Sequence, residues 1–153
     1  PFGEYNLKQK NYISNNFEFA FGQHSGVIDL NKDRYELPRF PINEKYGEIK
    51  RFNEVISYLP LQYKIIKPEN KFMNDGENPP KMTIEFFEDQ KNLENINCFS
   101  NEGSKWRKTK IVLVDNILNI NFAEKFVERR GRINCSLKDE NGWRFSGFQF
   151  VQN

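Results

Sequence analysis

The sequence predicts an α+β fold, with a helix–strand–helix–strand first half followed by a small antiparallel β-sandwich. Three observations carry this. Apolar residues recur at helical and strand-like spacings up to residue 66, and from residue 81 onward several stretches alternate apolar with polar residues. A single composition shift, at 67–80, separates the two patterns. The chain has 153 residues, 37% of them hydrophobic and 15% aromatic, with 15 Phe, so it can bury a real core.

The elements of the first half follow in order. Residues 6–16 carry Leu7, Tyr12 and Ile13 at roughly helical spacing, and Asn6 is placed to cap that helix. Phe17, Phe19 and Phe21 alternate with Glu18 and Ala20, which predicts a short strand ending at Gly22. A loop from Gln23 to Arg39 follows. Ile49, Phe52, Ile56 and Leu59 share one face of a helix over 47–59, which Pro60 stops. Residues 61–66 form a second strand candidate. This succession is what the closing quarter of a β/α barrel would show.

Residues 67–80 (KPENKFMNDGENPP) hold three prolines and few apolar side chains. The predicted organisation is therefore a first unit at 1–67, a linker at 68–80 and a β-sandwich at 81–153.

In the second half Met82, Ile84 and Phe86 alternate with polar residues. So do Leu118, Ile120 and Phe122, and again Ile133, Cys135 and Leu137. Each pattern gives one buried and one solvated face. Lys110 to Val114 is a more continuously apolar run, which predicts a more buried strand. Trp143 to Phe150 predict an aromatic final strand with Gly147 as a bulge or bend. Turn signals recur at Gly103, Asp115-Asn116, Gly131 and Asn141-Gly142, the last a hairpin signal.

Charge bounds the function. Lys and Arg number 23 against 21 Asp and Glu, a net charge of +2 with no clustered basic run, which argues against a nucleic-acid binder. No stretch approaches the ~18 apolar residues of a membrane span. The first residue is Pro1, which leads to the expectation that an upstream segment, with any targeting signal, has been removed. Cys98 and Cys135 are either free thiols or a bridge. A bridge closing a loop of about 37 residues would add about 4 kcal/mol in the chain-entropy model. With one His and no CxxC pair, a structural zinc site is not expected.

Several stretches in order resemble the polysaccharide deacetylases of the NodB-homology type. Pro1-Phe2-Gly3-Glu4-Tyr5 resembles the family's Y-P-[FY]-G-E strand end. Phe21-Gly22-Gln23-His24-Ser25-Gly26, then Leu37-Pro38-Arg39-Phe40-Pro41 and Tyr46-Gly47, resemble a later part of the same domain. Gly131-Arg132-Ile133-Asn134-Cys135-Ser136 resembles a stretch of the β-rich domain that follows in one bacterial branch, which also has an early Cys and an aromatic end strand. The resemblance implies that the chain is the end of a deacetylase barrel plus that β-rich domain, with Cys98 bridged to Cys135. It implies a polysaccharide substrate and a periplasmic, envelope or secreted bacterial location. The family's divalent metal, usually zinc, is held by one Asp and two His from the barrel's first half. This chain has a single His and no such set, so on this reading it is inert alone. It would keep a cleaved N-terminal partner, form a homodimer or aggregate.

Four residues stand out as site candidates. The main-chain N–H of Phe2 matches the family's oxyanion donor, the alternative being a core Phe. Arg39, held between prolines, could pair with a carboxylate or reach an anionic intermediate, or be a surface residue on a rigid turn. Trp106 and Trp143, with Phe148 and Phe150, could stack on pyranose rings, the alternative for the set being core, where aromatics alternating along strands more often lie. Trp106, in a polar loop between Lys105 and Arg107, is the better surface candidate. His24 reads as a structural or surface residue. Two other functions remain open, a free-standing carbohydrate-binding module and a structural domain with a protein partner.

Overall fold

A computed structural model of the chain describes residues 2–74 and 76–152. Among the described residues the fold is mixed α+β, with two short α-helices and two mostly antiparallel sheets that pack in a sandwich-like arrangement. The helices are α1 (Leu7–Ser14) and α2 (Ile49–Ile56). The strands are β1 (Leu59–Pro60), β2 (Ile65–Lys67), β3 (Phe72–Met73), β4 (Met82–Glu85), β5 (Asn97–Ser100), β6 (Arg107–Lys108), β7 (Lys110–Val114), β8 (Ile117–Asn121), β9 (Arg130–Asp139) and β10 (Gly142–Gln152). One sheet runs β1-β10-β9-β5-β6, with β3 also on β10. The other runs β2-β4-β8-β7.

The alternating runs of the second half bury the residues their spacing predicts. Met82, Ile84 and Phe86, Leu118 and Ile120, and Ile133, Cys135 and Leu137 join one core between the sheets. Cys98 and Cys135 face one another in the β5–β9 register and form a disulfide, with both residues fully buried. Residues 110–114 are a correction to the expected buried strand: β7 lies at the edge of its sheet, and Val112 and Val114 are exposed. The β9–β10 turn centres on Glu140-Asn141, one residue before the Asn-Gly pair, because Asp139 Oδ1 accepts the N–H groups of Asn141 and Gly142.

Gly147 is a second correction. The β9–β10 ladder passes it without a bulge. A Cβ there would lie 2.4 Å from the carbonyl oxygen of Ser25 and 2.7 Å from Asn134 Oδ1, so the missing side chain admits a crossing loop. Beside it, Gly26 bridges to Ser146. The edge of β10 that β9 leaves open is thus filled by β1, Gly26 and β3 in succession.

The first half departs further from its sequence pattern. Asn6 caps α1 as expected, in a reciprocal pair with Gln9 at 2.9 Å each way. The run 17–21 forms only one parallel bridge, Phe21 to Leu37, and Phe17, Phe19 and Phe21 stay exposed. Alternation marks a face, but a strand also needs a hydrogen-bonding neighbour. Residues 61–66 are not one strand, because the chain crosses there from the first sheet, at β1, to the second, at β2. In α2 the stripe Ile49, Phe52 and Ile56 faces outward and only Val55 is buried. Hydrogen bonds also cross the stretch 68–80. β3 lies within it, and Asn78 exchanges two bonds with the main chain of Phe126, at 2.8 and 2.9 Å.

Candidate functional site

Arg132 and Asn134 point away from the core, on the face of β9 opposite Ile133, Cys135 and Leu137, and they form the floor of a cavity of about 430 Å³. Two segments, 20–24 and 37–39, paired in parallel at Phe21 and Leu37, build one wall. Leu37 N–H donates to Ala20 O, Gly22 N–H to Leu37 O and Arg39 N–H to His24 O, at 2.8–3.0 Å. Arg39 also donates from Nε to Gly22 O at 3.1 Å, which fixes the root of the guanidinium. The segment from Pro41 to Arg51 closes a second side, where the Arg51 guanidinium stands 5.0 Å from the Tyr46 ring.

Trp106 closes the far side. A buried polar knot holds its loop in place. Glu102, almost fully buried, accepts from Ser100 Oγ and from Glu124 N–H, and Thr109 Oγ1 donates to Ser100 Oγ. Gly103 takes a positive φ of 59° inside this turn, a conformation that costs glycine little. The indole is left 53% exposed, against the cavity.

Charge distinguishes this cavity from the larger cleft of about 840 Å³ near Lys10. In that cleft Lys10 is held by Asp33 and Glu36 at 2.6 and 2.8 Å. In the first cavity three arginines, Arg39, Arg51 and Arg132, are met by no carboxylate among the described residues. The Nε atoms of Arg51 and Arg132 are buried without a hydrogen-bond partner. His24 adds no charge near neutrality. Desolvation, helped by the charges of Lys32 and Lys71, pushes its imidazole down to about 4, against a main-chain hydrogen bond at Glu36.

The structure thus joins two of the four sequence candidates, Arg39 and Trp106. Phe2 does not line the cavity. Its ring is 62% exposed and lies 5.7 Å from the Arg130 guanidinium, and Pro1 of the same motif lies outside the described residues. Trp143 sits at the start of β10, half exposed, with Lys138 Nζ 5.8 Å from its ring. Of the further aromatics, Phe150 is core, whereas Phe148 is nearly buried and reaches the cavity. Arg51 and Arg132 were not singled out from sequence as site residues. The available signal for Arg132 was its outward parity on a strand whose inward residues are all apolar.

The zinc that the resemblance implies finds no fit here. His24 is the chain's one His and shares its cavity with arginines, and among the described residues no three His, Cys, Asp or Glu side chains gather. No helix among the described residues is long and apolar enough to cross a membrane. Comparison with family models, with curated proteins and with solved structures gave no match.

Proposed function

We propose that this chain is the C-terminal part of a polysaccharide deacetylase, and that its own share of the work is to bind the glycan. The N-acetyl hydrolysis would use a metal and a base from residues outside the chain. The observation that carries the reading is the convergence of Arg39 and Trp106. Each comes from a different half of the sequence, and one cavity takes both. Its size falls within the ~300–1,000 Å³ of small-ligand sites. The indole offers a flat face for a pyranose ring, and the amides of Asn43 and Asn134 offer partners for hydroxyl groups.

Two apolar surfaces support the enzyme reading. Phe17, Phe19 and Phe21 form one exposed row, and Ile49, Phe52 and Ile56 form another. Surfaces of this kind are what the remaining elements of a barrel would cover. The Cys98–Cys135 disulfide fits a periplasmic, envelope or secreted location.

Calorimetric titration with N-acetylglucosamine oligosaccharides tests the binding role. Affinity should fall in Trp106→Ala and persist in Trp143→Ala, and the reverse order would sink the assignment to this cavity. The lack of a metal-holding cluster among the described residues favours a second reading, a free-standing carbohydrate-binding module. Size-exclusion chromatography separates the two. A monodisperse monomer that binds no hydrophobic dye supports the module, whereas self-association through the exposed Phe and Ile rows supports the enzyme part.

A further inference from the structure

We infer that the Arg39–Arg51–Arg132 cavity is a site for an oxyanion carried on a sugar ring, so that the glycan it takes is an acidic one. This rests on the glycan reading above and narrows it. A neutral N-acetylated sugar asks for hydrogen-bond donors and acceptors and one aromatic face. It does not ask for three guanidinium groups with no carboxylate among them. Guanidinium groups match carboxylates and sulfate esters through paired N–H donors.

The arrangement is specific to this cavity. Arg39 is tied by its Nε to Gly22 O, so its outer N–H groups are the ones left to present. Arg51 is oriented against Tyr46, and Arg132 stands on a strand that is hydrogen-bonded on both sides, to β5 and to β10. The Nε atoms of Arg51 and Arg132 are buried without a hydrogen-bond partner, so these guanidinium groups would meet a ligand through their outer N–H groups. Four of the five arginines outside this cavity pair with carboxylates, Arg107 with Glu124, Arg129 and Arg130 with Glu4, and Arg144 with Asp139, Arg34 being the exception. His24 stays neutral, so the cationic character comes from the arginines and persists across neutral pH. Trp106 makes the sugar, rather than a free ion, the fitting carrier. Its exposed face lies in the same cavity, where a ring bearing the anion can stack.

Calorimetric titration of the purified chain with four probes tests this: a glucuronate-containing oligosaccharide, a sulfated oligosaccharide, an N-acetylglucosamine oligosaccharide and inorganic sulfate. At least one acidic oligosaccharide should bind about ten-fold or more tighter than the neutral one, with affinity falling as salt rises. The better of the two acidic probes identifies the source of the oxyanion. Arg132→Gln and Arg51→Gln should each weaken that probe by about ten-fold, with unfolding midpoints recorded to separate binding from folding. Because Arg51 lies on an outer helix, its variant keeps the test valid if Arg132→Gln unfolds. Equal affinity for neutral and acidic probes would overturn this inference and leave the glycan reading standing. Inorganic sulfate binding as tightly as the sulfated oligosaccharide, unchanged in Trp106→Ala, would overturn the saccharide carrier. Binding of none of the probes would overturn both readings.

Discussion

Lys32 donates its ammonium to Ser146 Oγ at 2.9 Å, across 114 residues of sequence. The ammonium also stands 4.0 Å from the centre of the Tyr63 ring. Burial pushes its pKa down to about 8, partly countered by Asp29. The folded form therefore holds this proton less tightly than the unfolded chain, and the cost is present at neutral pH and shrinks as pH rises above 8. Ser146→Ala should cost about 2 kcal/mol in urea unfolding at pH 7, because it strands a buried ammonium. Lys32→Met removes charge and partner together and should change stability by less than about 1 kcal/mol. The opposite order would show that the ammonium is not desolvated in the folded protein.

His24 sets an acid limit. Its folded pKa, about 4, lies below the 6.5 of a free imidazole, so the unfolded chain takes up a proton first as pH falls. The His24 contribution leaves stability unaffected above about pH 6.5 and lowers it between there and pH 4, by up to about 3 kcal/mol. Chemical denaturation across this range should show a decline that His24→Gln reduces. An unchanged profile in the variant would place the loss on other groups.

The Cys98–Cys135 bridge ties β5 to β9 at the centre of the six-stranded sheet. Reduction, or Cys98→Ser with Cys135→Ser, should lower stability by about 4 kcal/mol in the chain-entropy model. The thermal midpoint with and without reductant measures it. A shift near zero would mean that the sheet core alone orders these strands.

Gly147→Ala should cost more than about 2 kcal/mol, since the new methyl meets main-chain oxygen at Ser25, which cannot rotate aside. Gly131→Ala meets the ring of Phe126 instead, at 2.6 Å. It should cost less if that ring can turn. Paired denaturant titrations would check the ranking, and a Gly147→Ala protein as stable as the parent would show that the Ser25 loop does not sit on the sheet.

These comparisons show what kind of information the sequence carries. The inward residues of β4, β8 and β9 were legible because a period of two is local and each strand has neighbours on both sides. Asn6 was legible as a cap because the motif is complete within four residues. Phe17 to Phe21 show the limit. The same period appears there, yet no ladder forms, because pairing depends on what lies alongside. The Ile49–Phe52–Ile56 stripe is a helical face, but spacing alone does not say which way it turns. The cavity was the least legible feature. Arg39 and Trp106 were flagged by local context, but Arg51 and Arg132 acquire meaning only when the tertiary fold brings them together.

The filling of one edge of β10 by three earlier segments has a consequence for synthesis. Gly26, β1 and β3 all leave the ribosome long before residues 142–152 exist. Their native partner is not available to them while they wait. Closure of this edge of the six-stranded sheet is therefore a late event, gated by translation of residues 142–152, whereas the sheet β2-β4-β8-β7 does not wait for them.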